Sequence, residues 1–101
     1  MDSAEKKKLF TQIMWDYNIP PEEIESVFQG KQTYAGHYTR ETLFLKLLES
    51  YSWFTIVQLF TINEIQSLLT STTINKLRSQ SLRKKYEFVQ KRLHEIISTA
   101  G

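Results

Sequence analysis

An all-α fold, a single compact bundle of about six or seven helices in which short, orthogonally packed ones precede a long C-terminal helix, is predicted by three observations. The apolar residues recur at gaps of three and four. Only three glycines and two prolines punctuate the 101 residues. No segment shows the apolar–polar alternation of a half-buried strand.

The first helix is expected from about Ser3, a residue type that caps helix N-termini, to about Tyr17, with Leu9, Phe10, Ile13 and Met14 forming an apolar stripe. Asn18-Ile19-Pro20-Pro21 ends it: Pro20 holds Ile19 extended, and Pro21 suits the first turn of a second helix. There Glu22, Glu23 and Glu25 complement the positive end of the helix dipole, which explains them better than an acid pair or metal platform does. Ile24, Val27 and Phe28 face inward, and Gly30 occupies the left-handed position past the end. Lys31 to Tyr38 is a loop without periodicity.

Thr39 is expected to cap a third helix that buries Leu43, Phe44, Leu47 and Leu48 and runs to Ser50. A fourth starts near Ser52; Trp53, Phe54, Ile56, Val57, Leu59 and Phe60 make it apolar almost all round, which predicts a central position with Trp53 and Phe54 in the core. Thr61-Ile62-Asn63-Glu64 matches a capping box, opening a fifth helix with Ile62, Ile65, Leu68 and Leu69 inward. Thr70 to Thr73 reads as a break, followed by a short sixth helix over about Thr73 to Arg78. The last helix, about Ser81 to Ser98, carries Leu82, Tyr86, Val89, Leu93 and Ile96 at alternating gaps of four and three, with Phe88 and Ile97 at the margin of that seam. Leu43, Leu47, Trp53, Val57, Leu68, Leu77, Tyr86 and Val89 are the expected core.

One domain over residues 1–101 suffices for this length, and no low-complexity linker or internal repeat divides the chain. With no cysteine, disulfides, Cys-containing metal sites and thiol nucleophiles are excluded. The N-terminal residues lack the apolar core of a signal peptide, and the apolar runs fall far short of the roughly 18 residues of a membrane span, so a cytoplasmic protein with no membrane partner is expected.

The net charge of +2 is unevenly spread. Lys76 through Glu95 holds seven basic residues against two acidic ones, a net +5, and the remainder of the chain is −3. Lys84, Lys85, Lys91 and Arg92 fall largely opposite the apolar seam, as a solvated face would; together with Arg83 they also suit an acidic protein partner or, as the alternative, nucleic acid. A helix-turn-helix can be drawn from Thr61 to Arg78 only with a recognition helix of under two turns. Tyr34, His37 and Tyr38 in the irregular loop form a second candidate contact surface, because tyrosine brings large area with a polar tip. His37 and His94 have no partners at ligand spacing, and no phosphate-binding loop or nucleophile motif occurs, so no catalytic residue, metal or cofactor is expected.

Trp15-Asp16-Tyr17-Asn18 followed by a Pro-Glu helix, Glu49-Ser50-Tyr51-Ser52-Trp53-Phe54 leading into Val57-Gln58-Leu59-Phe60, and Leu77-Arg78-Ser79-Gln80-Ser81-Leu82-Arg83 with Tyr86-Glu87-Phe88-Val89 resemble small uncharacterised bacterial all-helical proteins. The resemblance covers roughly Met14 to Leu93; Met14 stands where such proteins often have Phe before Trp-Asp. Members are often encoded beside nucleotidyltransferase-like toxin genes, which implies an antitoxin-like or accessory role. The expected function is a non-enzymatic protein-interaction module, with a nucleic-acid-binding accessory domain as the alternative.

Overall fold

Hydroxyl side chains begin most of the helices. The computed structural model describes residues 3–14 and 19–100, apart from the side chains of residues 3, 13, 14 and 98–100. Among the described residues there are seven helices: α1 (Ser3–Met14), α2 (Pro21–Phe28), α3 (Arg40–Ser50), α4 (Trp53–Leu59), α5 (Ile62–Leu68), α6 (Ser71–Asn75) and α7 (Gln80–Ala100). The all-α class and the long final helix are as the periodicity predicts. Trp15, Asp16, Tyr17 and Asn18, with the side chains of Ile13 and Met14, lie outside the described residues. The helices fall into two compact units, Met1–Ser50 and Tyr51–Gly101.

In the first unit α1, α2 and α3 pack against one another. Phe10 of α1 stacks on Phe28 of α2 with ring centroids 5.9 Å apart, and Ile24, Val27, Leu43, Phe44, Leu47 and Leu48 are buried. Pro21 occupies the first position of α2, as expected of a residue whose missing N–H has no intrahelical role there. The helix closes in a Schellman arrangement: Gly30 at φ 78° donates to the Val27 carbonyl, and Lys31 donates to that of Ser26. Thr39 starts α3 by a reciprocal pair, its N–H donating to Thr42 Oγ1 at 2.8 Å while the Thr42 N–H donates to Thr39 Oγ1 at 3.3 Å.

The second unit repeats this device. Ser52 accepts from the Thr55 N–H, Thr61 and Glu64 close the expected capping box at 3.1 and 2.9 Å, and the Leu82 N–H donates to Ser79 Oγ. Thr70, which the sequence reading takes as part of a break, is the N-cap of α6 and accepts from the Thr73 N–H at 3.2 Å. Helix α6 therefore starts two residues earlier than expected and ends at Asn75 rather than Arg78. Five residues form about one and a half turns, too few for a recognition helix to enter a DNA groove.

Helices α5 and α6 pack on α7, whose Tyr86 and Leu93 are buried with Ile56, Leu59, Ile65, Leu69, Ile74 and Leu77. The Trp53 ring meets Tyr86 edge-on at 6.3 Å. Gln90 Nε2 donates to the Leu69 carbonyl at 3.0 Å, satisfying an acceptor at the end of α5 that the helix itself leaves open.

Three helix faces differ from those the spacing predicts. Helix α4 is not buried all round: Ile56 and Leu59 turn inward, Trp53 and Val57 are half-buried, and Phe54 is 71% exposed. At about 100° per residue Phe54 lies opposite the Ile56/Leu59 side, the side on which this two-turn helix is packed. Ile62, expected inward, is exposed in the first turn of α5. On α7, Tyr86 and Leu93 are buried, Leu82 and Val89 are half-buried, and Ile96 is exposed. Ile96 stands about 80° around the helix from Tyr86, because 3.6 residues per turn drifts from a strict four–three repeat; half-buried Ile97 takes the place on the seam.

Candidate interaction surfaces

The aromatic loop is an ordered tight turn. Ala35 and Tyr38 exchange both backbone hydrogen bonds at 2.9 and 3.0 Å around Gly36-His37. Gly36 has φ 61°, a left-handed backbone that favours glycine, and the Ile19 side chain lies against the space a Cβ would take. Ala35 is fully buried beneath it. Tyr34 and His37 are exposed at the surface of this turn, while Tyr38 is half-buried and spends its backbone on the bridge. Nearby, Val27, Lys31 and Thr33 line one part of a shallow recess of about 520 Å³, with Thr39 and Arg40 on another.

The basic residues of α7 divide into two groups. Arg83 is half-buried: its Nη1 donates to the Leu77 carbonyl at 2.5 Å and reaches the Arg78 carbonyl at 3.5 Å, so its charge caps the turn between α6 and α7. Of the five cations expected on this helix, it is the one the fold turns aside. Lys84, Lys85, Lys91 and Arg92 are exposed. Arg92 meets Glu95 at 3.4 Å, a solvent-screened pair of little energetic weight. The Lys85 ammonium lies 5.5 Å from the centroid of the Tyr86 ring.

These four cations have a common centre that the sequence reading overlooked. Phe88, there placed at the margin of the seam, is 64% exposed, about 200° around the helix from Tyr86. Lys84, Lys85, Lys91 and Arg92 are its neighbours at i−4, i−3, i+3 and i+4, the four positions that adjoin a residue on a helix surface. The signal lies in the spacing; assigning Phe88 to the margin of the seam conceals it.

Lys91 also borders a groove of about 590 Å³, with Gln66, Thr70 and Ser71 on one side and Gln90 and His94 on the other. Inside the unit, the Tyr86 hydroxyl is buried without a hydrogen-bond partner, and burial raises its pKa; burial raises that of Tyr51 as well. Among the described residues no group of three or more His, Asp or Glu side chains is placed to hold a metal ion, and no helix is long and apolar enough to cross a membrane.

No family model matches this chain, and no match was found among curated proteins or solved structures.

Proposed function

We propose that this chain is a non-enzymatic protein-interaction module, an antitoxin-like or accessory partner of a product encoded nearby, which takes up an acidic protein surface on the solvent face of α7. One observation carries the reading: Lys84, Lys85, Lys91 and Arg92 surround an exposed phenylalanine on a helix whose opposite face is packed in its unit. Such a face offers a positive field and apolar area on a rigid support, which favours protein recognition over chemistry. The aromatic turn at Tyr34, His37 and Tyr38 is the secondary candidate surface. Glu87 and Glu95 interrupt the positive charge along α7, and a phosphate backbone, which rewards continuous neutralisation, is the poorer fit.

The test is association with the product of the adjacent gene, measured beside a 20-base-pair DNA duplex. The protein partner is expected to bind, and replacing Lys84, Lys85, Lys91 and Arg92 by Gln is expected to slow its association by about tenfold or more at low salt. Duplex affinity is expected to be no better than roughly millimolar at 150 mM salt. Micromolar duplex binding that survives that salt and is abolished by the same four changes would replace this reading with nucleic-acid binding.

A further inference from the structure

On α7 the residue with the larger claim to the core is outside and the one with a polar tip is inside. Phe88, with no polar atom, faces solvent, while Tyr86 is fully buried with its hydroxyl unpaired. Burial preferences alone favour the reverse. A local violation of this kind is characteristic of a surface shaped for something other than stability.

The surroundings of Phe88 define what fits it. Ser81, Lys84, Phe88, Lys91 and Glu95 recur at gaps of three and four down the outer side of α7, a line about 21 Å long at 1.5 Å per residue, with Lys85 and Arg92 flanking it and Ile96, 54% exposed, near its end. The spacing is that of a seam between two helices, and here only its central position, Phe88, is apolar, with cations one turn to either side, so the line offers a facing helix one knob and a set of charges that select the partner. We infer that the occupant is an acidic helix of about four turns, lying along α7, whose central apolar residues receive Phe88 and whose carboxylates, one turn to either side, meet Lys84, Lys85, Lys91 and Arg92. This rests on the protein-binding reading above and specifies the partner's chemistry. A single strand of nucleic acid would call for successive stacking aromatics along a basic groove, whereas this line has one aromatic and ends on Glu95. A helix lying in a lipid surface needs a broad apolar face; here Phe88 and Ile96 stand among charges.

The experiment titrates the full chain with a synthetic helical peptide of about 15 residues, leucine at its centre and glutamate three and four positions to either side, following amide shifts by NMR and affinity by fluorescence anisotropy. A 20-nucleotide single strand and phosphatidylglycerol vesicles serve as competing probes. Micromolar peptide binding is expected, with shifts confined to residues 81–96. Phe88→Ala, with an unchanged circular dichroism spectrum, is expected to weaken it by roughly tenfold or more. Phe88→Leu is expected to retain most of it, and Lys84→Gln with Lys91→Gln to flatten its salt dependence. Binding unchanged in Phe88→Ala but lost in the lysine variant would overturn the helical-anchor inference and leave the acidic-partner reading standing. Failure of the peptide, with micromolar binding of the single strand or the vesicles at 150 mM salt, would overturn both.

Discussion

The inner and outer faces of α7 are built from similar side chains and do opposite things. Two residues and about 200° separate Tyr86, fully buried against Trp53, from Phe88, open to solvent among four cations. One step along the chain separates Arg83, tied to the Leu77 carbonyl, from Lys84, which is exposed. An aromatic residue or a cation on this helix acquires its role from its angle to the packing face, and chemically similar neighbours therefore differ in what their loss costs.

The comparison is broken most directly by truncating the two aromatics. Tyr86→Ala is expected to cost about 3–5 kcal/mol in urea unfolding, through lost burial and the cavity left beside Trp53, whereas Phe88→Ala is expected to stay within about 0.5 kcal/mol. Equal costs would mean that the faces are misassigned.

The two basic neighbours give a smaller contrast. Removing the Arg83 guanidinium in Arg83→Met is expected to cost about 1 kcal/mol, because the Leu77 carbonyl loses a charge-assisted bond at a half-buried site. Lys84→Met is expected to leave the unfolding midpoint unchanged within error. A silent Arg83→Met would return that residue to the exposed cations.

Tyr86→Phe reverses the sign. Deleting a buried hydroxyl without a partner is expected to stabilise the fold by about 0.5–1 kcal/mol, with the ring packing kept. The same hydroxyl sets a pH dependence. Burial raises its pKa above the ordinary tyrosine value near 10, so the folded protein holds the proton that the unfolded chain releases. That contribution is complete below about pH 10 and is lost as pH rises through the folded-state value, so chemical denaturation should show stability declining above about pH 10. The decline should be shallower in Tyr86→Phe, and the raised pKa of Tyr51 acts in the same direction.

The candidate site was partly legible before folding. The basic cluster on the last helix follows from composition and helical angle, and Lys84, Lys85, Lys91 and Arg92 are exposed where that arithmetic places them. Arg83 stands about 60° from Tyr86, nearer the packed side, and its carbonyl partner lies in a turn whose path no periodicity describes. Phe88 was readable from its four basic neighbours, yet hydrophobicity argued for the seam. The turn at Gly36 left no periodic trace, since a two-residue reversal held by one residue pair is shorter than any repeat.

What the sequence by itself determined is where α2, α3, α4 and α5 start and where α2 stops. The Thr61/Glu64 box, the Ser52 and Thr39 caps, Pro21 at the start of α2 and Gly30 past its end close hydrogen bonds or backbone angles within a few residues, so the information and the interaction occupy the same stretch of chain. Thr70 belongs with them, although a run of hydroxyl residues reads equally well as a break. Only the tertiary structure decided which apolar side chains are inside. Phe54 and Ile62 match Ile56 and Ile65 in apolar character, and composition does not separate them. Burial is conferred by surfaces that approach from distant parts of the chain, and an apolar side that none of them reaches, such as that of Phe54 on α4, stays in solvent.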